Sequence, residues 1–140
     1  MTVQADNEAF VRLAFAAQLP LAWLGAELDS VEDGAVTIVF TVRDDLCTAG
    51  SGIVMGGVTA LVADVAAGLS LLTRLSPPRP ILTSSMTAHQ LSPAKGDRII
   101  CTGIVLKIGK TAGIARADVF AQTGADRRHA ATLTASFAIP

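Results

Sequence analysis

The chain has 140 residues, enough for one stable core, and we predict a single domain over residues 1–140. Charged residues make up only 16% of the chain, against about 25% in typical soluble domains, so we expect part of the surface to be buried in a homo-oligomer. The net charge of −1 provides no field that would attract nucleic acid or an anionic membrane. We therefore expect neither as a partner.

The cysteines and histidines do not form a metal-binding pattern. Cys47 and Cys101 lack the C-x-x-C spacing of a structural zinc site, and His89 and His129 stand far apart on strand-like runs. We predict no metal site, and packing roles for both histidines. Free thiols are typical of the reducing cytoplasm, which is the expected location.

The N-terminal segment predicts a short helix. Asp6 and Glu8 precede the first apolar stretch, where a secretory signal would carry basic residues, so no export signal is expected. Apolar residues recur at helical spacing over residues 7–19. Because proline lacks a backbone donor, this amphipathic helix is predicted to end before Pro20.

An antiparallel sheet is predicted on both sides of a central apolar segment. Residues 26–31 and 35–42 flank a turn at residues 32–34 and alternate with period two, which indicates a β-hairpin. A proline-rich linker at residues 76–80 leads into the second half. Four further strands are predicted there, at residues 81–90, 98–107, 111–123 and 128–139.

The apolar segment at residues 53–72 is as long as a membrane-spanning helix, and its only charged residue is Asp64. A charge near the middle of a span costs about 2.5–3.5 kcal/mol on insertion scales. Gly56, Gly57 and Gly68 weaken the hydrophobicity further. We therefore predict a helix in the core of the domain, wrapped by the sheet.

This helix combines two features that suit acyl transfer. The first amides of a helix have no intrahelical partner, and Gly56 and Gly57 have no side chain to keep a ligand oxygen away from them. Asp64 lies about two turns later, with small neighbours such as Gly68 leaving space beside its carboxylate. A buried aspartate without a partner is rare. Asp64 is therefore either a general base or nucleophile, or one half of a structural ion pair.

Residues 52–64 read GIVMGGVTALVAD. This segment resembles the G-x-x-H-G-G-x-x-x-x-L-x-D signature of hot-dog-fold acyl-CoA thioesterases, especially the phenylacetate-degradation type. Weaker likenesses follow in matching order at residues 91–97 and 105–111, so that the resemblance covers roughly residues 24–139.

The resemblance implies an α+β hot-dog fold, with a five- to six-stranded antiparallel sheet around one long central helix. It implies a dimer, or a dimer of dimers, with active sites at the subunit interface. The Gly56 amide would polarise the thioester carbonyl, and Asp64 of the opposite subunit would attack it or activate water. Thr83, or Ser84 if the alignment shifts by one, would orient the water or carboxylate. No cofactor is implied, because coenzyme A is part of the substrate.

Two residues depart from the family pattern. Met55 stands where the family usually has histidine, and Ala49 stands near the position of an asparagine or glutamine that binds the thioester oxygen or water. Both positions, with Gly57 and Gly68, are expected to line the substrate site. Basic residues near two turns are expected to cluster and bind the phosphates of coenzyme A, namely Lys95, Arg98, Lys107 and Lys110.

Two other interpretations remain open at this point. The chain could be a non-catalytic acyl-CoA-binding or sensor protein, with Met55 and Ala49 marking lost catalysis. It could also be a structural oligomer in which Asp64 forms an interface ion pair and the lysines are merely solvated.

Overall fold

A computed structural model describes residues 3–140, which form three α-helices and one six-stranded antiparallel sheet. The helices are α1 (Val3–Ala16), α2 (Leu19–Leu24) and α3 (Gly56–Leu72), with a single 3₁₀ turn at Asp44–Leu46. The strands are β1 (Glu27–Glu32), β2 (Ala35–Thr41), β3 (Leu82–Gln90), β4 (Arg98–Ile108), β5 (Ala112–Thr123) and β6 (Asp126–Ala138).

The sheet has the order β1-β2-β4-β5-β6-β3 and packs one face on α3. The residue pattern of β6 explains why one face of the sheet packs on the helix. Leu133, Ala135 and Phe137 are buried on that face, while the intervening Thr134 is exposed on the other. Every strand boundary lies within two residues of its predicted position. The predicted fold class, a hot-dog fold with a central helix and an antiparallel sheet, is confirmed.

The central helix α3 lies close to the sheet. A Cβ atom at Gly103 of β4 would overlap the backbone of Ala66 and Ala67, so only glycine permits this approach. α3 spans 17 residues. Across residues 3–140, none of the helices has both the length and the apolar character that crossing a bilayer requires.

The predicted N-terminal helix is present and ends before Pro20, but it spans Val3–Ala16 instead of residues 7–19, and a second short helix that was not predicted follows it. α1 ends at Ala16, and Pro20 does not simply follow a helix but lies in the first turn of α2. Proline is tolerated there because the first helical amides need no intrahelical acceptor. α1 is attached to the end of α3 by the buried Asn7, whose Nδ2 donates to the carbonyl of Thr73 at 2.8 Å.

β3 is an edge strand that pairs only with β6. All nine of its residues are exposed, including the apolar Leu82 (66% exposed) and Met86 (50%). A long free edge with apolar side chains is a surface that another strand can cover.

Candidate active site

Asp64 lies at the middle of α3, half-buried in the wall of a cavity of about 430 Å³. The cavity is enclosed by α1, α3 and the start of β3. Thr83 Oγ1 donates a hydrogen bond to Asp64 Oδ1 at 2.8 Å. Within residues 3–140 no basic side chain forms a salt bridge with Asp64, so this chain does not supply the partner that the ion-pair interpretation requires.

The remaining wall of this Asp64 cavity is mainly apolar. Its lining side chains include Phe10, Val65, Leu69, Leu72, Ile81 and Phe137. Gly68, one turn after Asp64, also lines it, and a Cβ atom there would lie 3.1 Å from the Phe137 ring. Glycine at this position therefore leaves the Phe137 ring in place and the space beside Asp64 open.

A β-bulge directs Thr83 towards Asp64. Thr83 pairs with Phe137 and Met86 pairs with Ala135, so β3 advances three residues where β6 advances two. Ser84 is the extra, unpaired residue of the bulge. Directly paired residues share a face, and Phe137 and Ala135 both face the helix. The geometry thus distinguishes the two candidates, because Thr83, and not Ser84, contacts the carboxylate.

The N-terminus of α3 presents free backbone donors. Met55 is the N-cap residue and makes no side-chain hydrogen bond to the helix, and its own side chain is 49% exposed. Its carbonyl accepts from the amides of Val58 and Thr59. The amides of Gly56 and Gly57 have no hydrogen-bond partner in the described part of the chain, and both glycines are exposed.

These donors lie beside a second cavity, of about 360 Å³, which Gly56 lines. The other lining residues are Thr48, Ile53, Val54, Gln90, Leu91, Ser92, Pro93 and Ala94. Ala49 is exposed on the preceding loop and does not line this Gly56 cavity, contrary to expectation.

Gln90, the last residue of β3, was assigned no role from the sequence. It pairs with the buried Ala131 and therefore faces the helix side of the sheet. Strand alternation could have placed Gln90 on that face, but its contact with Gly56 follows only from the packing of the end of β3 against the start of α3.

The two halves of the candidate site are separated along one helix. Asp64 follows Gly56 by eight positions, which at about 1.5 Å per residue corresponds to roughly 12 Å along the axis. Reacting atoms must approach to about 3–3.5 Å. One carbonyl group therefore cannot meet the Gly56 amide and the Asp64 carboxylate of the same chain.

The expected cluster of basic residues is not found in one chain. Lys95 and Arg98 lie at the start of β4, whereas Lys107 and Lys110 lie at its far end, roughly 30 Å away at the rise of an extended strand. The cluster prediction treated two turns as neighbours, but an antiparallel strand separates them. Lys95 follows Ala94 and forms a β-bridge with Ile53, and both of these residues line the Gly56 cavity.

Other potential nucleophiles and bases lie elsewhere. Cys101 is fully buried, and burial raises the pKa of its thiol, which disfavours the reactive thiolate. His129 stacks on Phe120 and contacts Asp118 at 2.9 Å, away from both cavities. Among residues 3–140, no three His, Cys, Asp or Glu side chains are grouped so that they could hold a metal ion.

Comparisons with known proteins identify the family. The family model described as the thioesterase superfamily matches residues 51–127. A Halobacterium salinarum protein named as an esterase is 30% identical over 105 residues, which cover 71% of this chain and 68% of that protein.

Solved structures agree with this assignment. A thioesterase family protein from Silicibacter pomeroyi superposes with a TM-score of 0.90 at 30% identity, covering 94% of this chain and 96% of the other. The PaaI protein from the phenylacetic acid degradation operon of E. coli shares the fold, with a TM-score of 0.86 at 16% identity over 99% and 96% of the two chains. The chain therefore belongs to the thioesterase superfamily, and it is a thioester hydrolase.

Proposed function

We propose that this protein hydrolyses acyl-CoA thioesters to a carboxylic acid and coenzyme A, with Asp64 as general base or nucleophile. The observation that carries the proposal is the Asp64 carboxylate, which Thr83 holds at 2.8 Å in the wall of an apolar cavity. A carboxylate fixed by one hydrogen bond keeps its other oxygen available for a water molecule or a carbonyl carbon.

The Asp64 cavity suits the acyl group. Its volume of about 430 Å³ lies within the usual range for small-molecule sites, and its lining is mainly aliphatic and phenyl, with Gln18 and Thr83 as the polar side chains besides Asp64. In the general-base form of the reaction, Asp64 takes a proton from water as the water oxygen bonds to the carbonyl carbon. The C–S bond then breaks, and the thiolate of coenzyme A takes up a proton.

The Gly56 amide is the proposed oxyanion donor. It is unpaired within residues 3–140, and it stands at the positive end of the α3 dipole. A backbone donor aimed at the developing negative charge stabilises the tetrahedral intermediate, and one such donor typically contributes 10²–10³-fold in rate, about 2.7–4 kcal/mol.

We propose that a second copy of the chain completes the site. The Asp64 cavity lies at the start of β3 and the Gly56 cavity at its end. If two copies of the exposed β3 edge pair antiparallel about a two-fold axis near Met86, the start of one strand meets the end of the other. The Asp64 cavity of one subunit then adjoins the Gly56 cavity of its partner, which removes the separation of about 12 Å.

Lys95 is the proposed contact for the phosphates of coenzyme A, because it is adjacent to Ala94 and bridged to Ile53, which both line the Gly56 cavity. Lys107 and Lys110 lie at the opposite end of β4 and can contribute only from the partner subunit in this arrangement.

The test is a thiol-release assay on aliphatic and aromatic acyl-CoAs, comparing wild type with Asp64→Asn. We expect kcat to fall about 10³-fold, because the amide cannot act as base or nucleophile. Asp29→Asn makes the same chemical change at an exposed position and should retain wild-type kcat.

An unchanged kcat in correctly folded Asp64→Asn protein would refute the role of Asp64. A wild-type protein whose melting temperature rises with acyl-CoA but which releases no thiol would instead be a binding or sensor protein.

A further inference from the structure

Gln90 reaches the Gly56 end of the site from a different element. Its Nε2 and Cδ atoms each lie 3.4 Å from the position that a Cβ atom on Gly56 would occupy. The side chain therefore rests on the face of Gly56, next to the free amide. The three atoms nearest to that Cβ position all belong to Gln90.

Thr59 fixes the orientation of the Gln90 amide. Thr59 is fully buried, and its Oγ1 donates to Gln90 Oε1 at 3.3 Å. The same hydroxyl donates to the carbonyl oxygen of Gly56 at 3.0 Å, so its single proton is shared between the two acceptors and the hydroxyl is anchored within the first turn of α3. With Oε1 held by Thr59, the two Nε2 donors of Gln90 are the part of the amide left for a ligand in the Gly56 cavity.

Thr48 and Ser92 are the other side chains with a donor that line the Gly56 cavity, and the Ser92 hydroxyl already donates to the carbonyl oxygen of His129 at 2.8 Å. Met55 carries a thioether at the helix start, and Ala49 carries only a methyl group on an exposed loop outside the Gly56 cavity. Without a side chain, an oxyanion at the Gly56 amide would have only the adjacent unpaired amide of Gly57 as a second donor.

We propose that Gln90 is a catalytic residue whose Nε2 donates the second hydrogen bond to the thioester carbonyl oxygen, and that Thr59 is the positioning residue that orients it. This inference rests on the proposed acyl-CoA hydrolysis. Gln90 forms and breaks no covalent bond. It only stabilises the negative charge that develops on the carbonyl oxygen during attack, and this charge disappears when the carbonyl re-forms and the C–S bond breaks. It substitutes from β3 for the side-chain amide that Ala49 does not provide.

The main test compares Gln90→Met with wild type in the thiol-release assay. Methionine keeps the length of the side chain but has no donor. We expect kcat to fall about 10- to 100-fold, with KM changed less than about threefold, since a donor acting mainly in the transition state affects kcat. Gln122→Met is the matched control, because Gln122 lies on the β5–β6 hairpin, where its side chain donates to Gly124 and accepts from Arg127, and it lines neither cavity.

Two further variants separate catalysis from packing. Gln90→Glu keeps the shape but presents only acceptors and a negative charge at neutral pH, so its kcat should fall at least as far as that of Gln90→Met. Thr59→Val should lower kcat about threefold to tenfold. Combined with Gln90→Met it should add nothing further, because both changes remove the same donor.

The inference is overturned if kcat of folded Gln90→Met stays within twofold of wild type, or if Gln90→Glu retains activity, which would make Gln90 an acceptor. A change in melting temperature with unchanged kcat would likewise assign it a packing role only. If Gln90→Met fails to fold, Gln90→Glu decides by the same criterion. Loss of activity in Asp64→Asn together with full activity in Gln90→Met would reject this inference while leaving the proposed function intact.

Discussion

The two cavities at either end of β3 are built in different ways. The Asp64 cavity is formed by packed side chains from α1, α3 and β3, and its polar group is a carboxylate held by Thr83. The Gly56 cavity is more open, and its central feature is a backbone amide left unpaired by the start of a helix. The role of the Asp64 carboxylate can therefore be tested by a side-chain substitution. The role of the Gly56 amide can be tested only by a substitution that removes its backbone N–H group.

Gly56→Pro should have the largest effect of the changes that separate the two cavities. Proline is favoured at the first helical position, and Met55 already has φ −58° and ψ 139°, which a residue before proline prefers. The substitution thus deletes the amide donor and keeps the helix. We expect kcat for acyl-CoA hydrolysis to fall about 10²–10³-fold, measured by thiol release.

Gly56→Ala provides the comparison for this change. It retains the N–H group, and its Cβ would make ordinary contact with Gln90 at 3.4 Å, so its kcat should fall much less. Equal losses in the two variants would mean that the side chain, and not the donor, matters at this position.

Mixing inactive variants should restore part of the lost activity if the cavities cooperate between subunits. Asp64→Asn and Gly56→Pro, exchanged by mild denaturation and refolding, form heterodimers with one site that has an intact acid and an intact donor. Random exchange predicts recovery of about a quarter of wild-type activity. The control subjects each variant alone to the same treatment. If subunits exchange but no activity returns, Asp64 and Gly56 of different subunits do not act on one substrate molecule.

Thr83→Val should have the smallest effect, because it removes a hydrogen bond to the acid and not the acid itself. Hydrogen bonds to charged groups contribute about 1.5–3 kcal/mol. We expect kcat to fall about tenfold, from steady-state kinetics. Thr87→Val makes the same change on the opposite face of β3 and should leave kcat unaltered. A similar loss in both variants would indicate a general effect on the strand.

Much of the fold follows from local patterns. The period-two alternation of β6 and the uniformly apolar α3 are strong signals because they depend on residues close in sequence. Helix α2 was missed because proline both ends helices and begins them, and only the first use was considered at Pro20. The local pattern does not distinguish the two uses.

The site was harder to predict than the fold. Asp64 and Gly56 stand out as anomalies within one segment, but the contact of Thr83 with Asp64 depends on a bulge that no local pattern specifies. The position of Gln90 beside Gly56 depends on how the end of β3 meets the start of α3. The lysine cluster failed for the same reason, since distances between turns are set by strand length and pairing.

The outer wall of the Asp64 cavity belongs to α1, through residues such as Phe10 and Ala14. The family model begins at residue 51 and does not include this helix. Asp64 and Gly56 lie within the matched segment, whereas part of the wall of the proposed acyl-binding cavity lies outside it. If the proposed function holds, we expect relatives that share α3 but differ in the N-terminal helix to differ in the acyl groups they accept and not in the reaction.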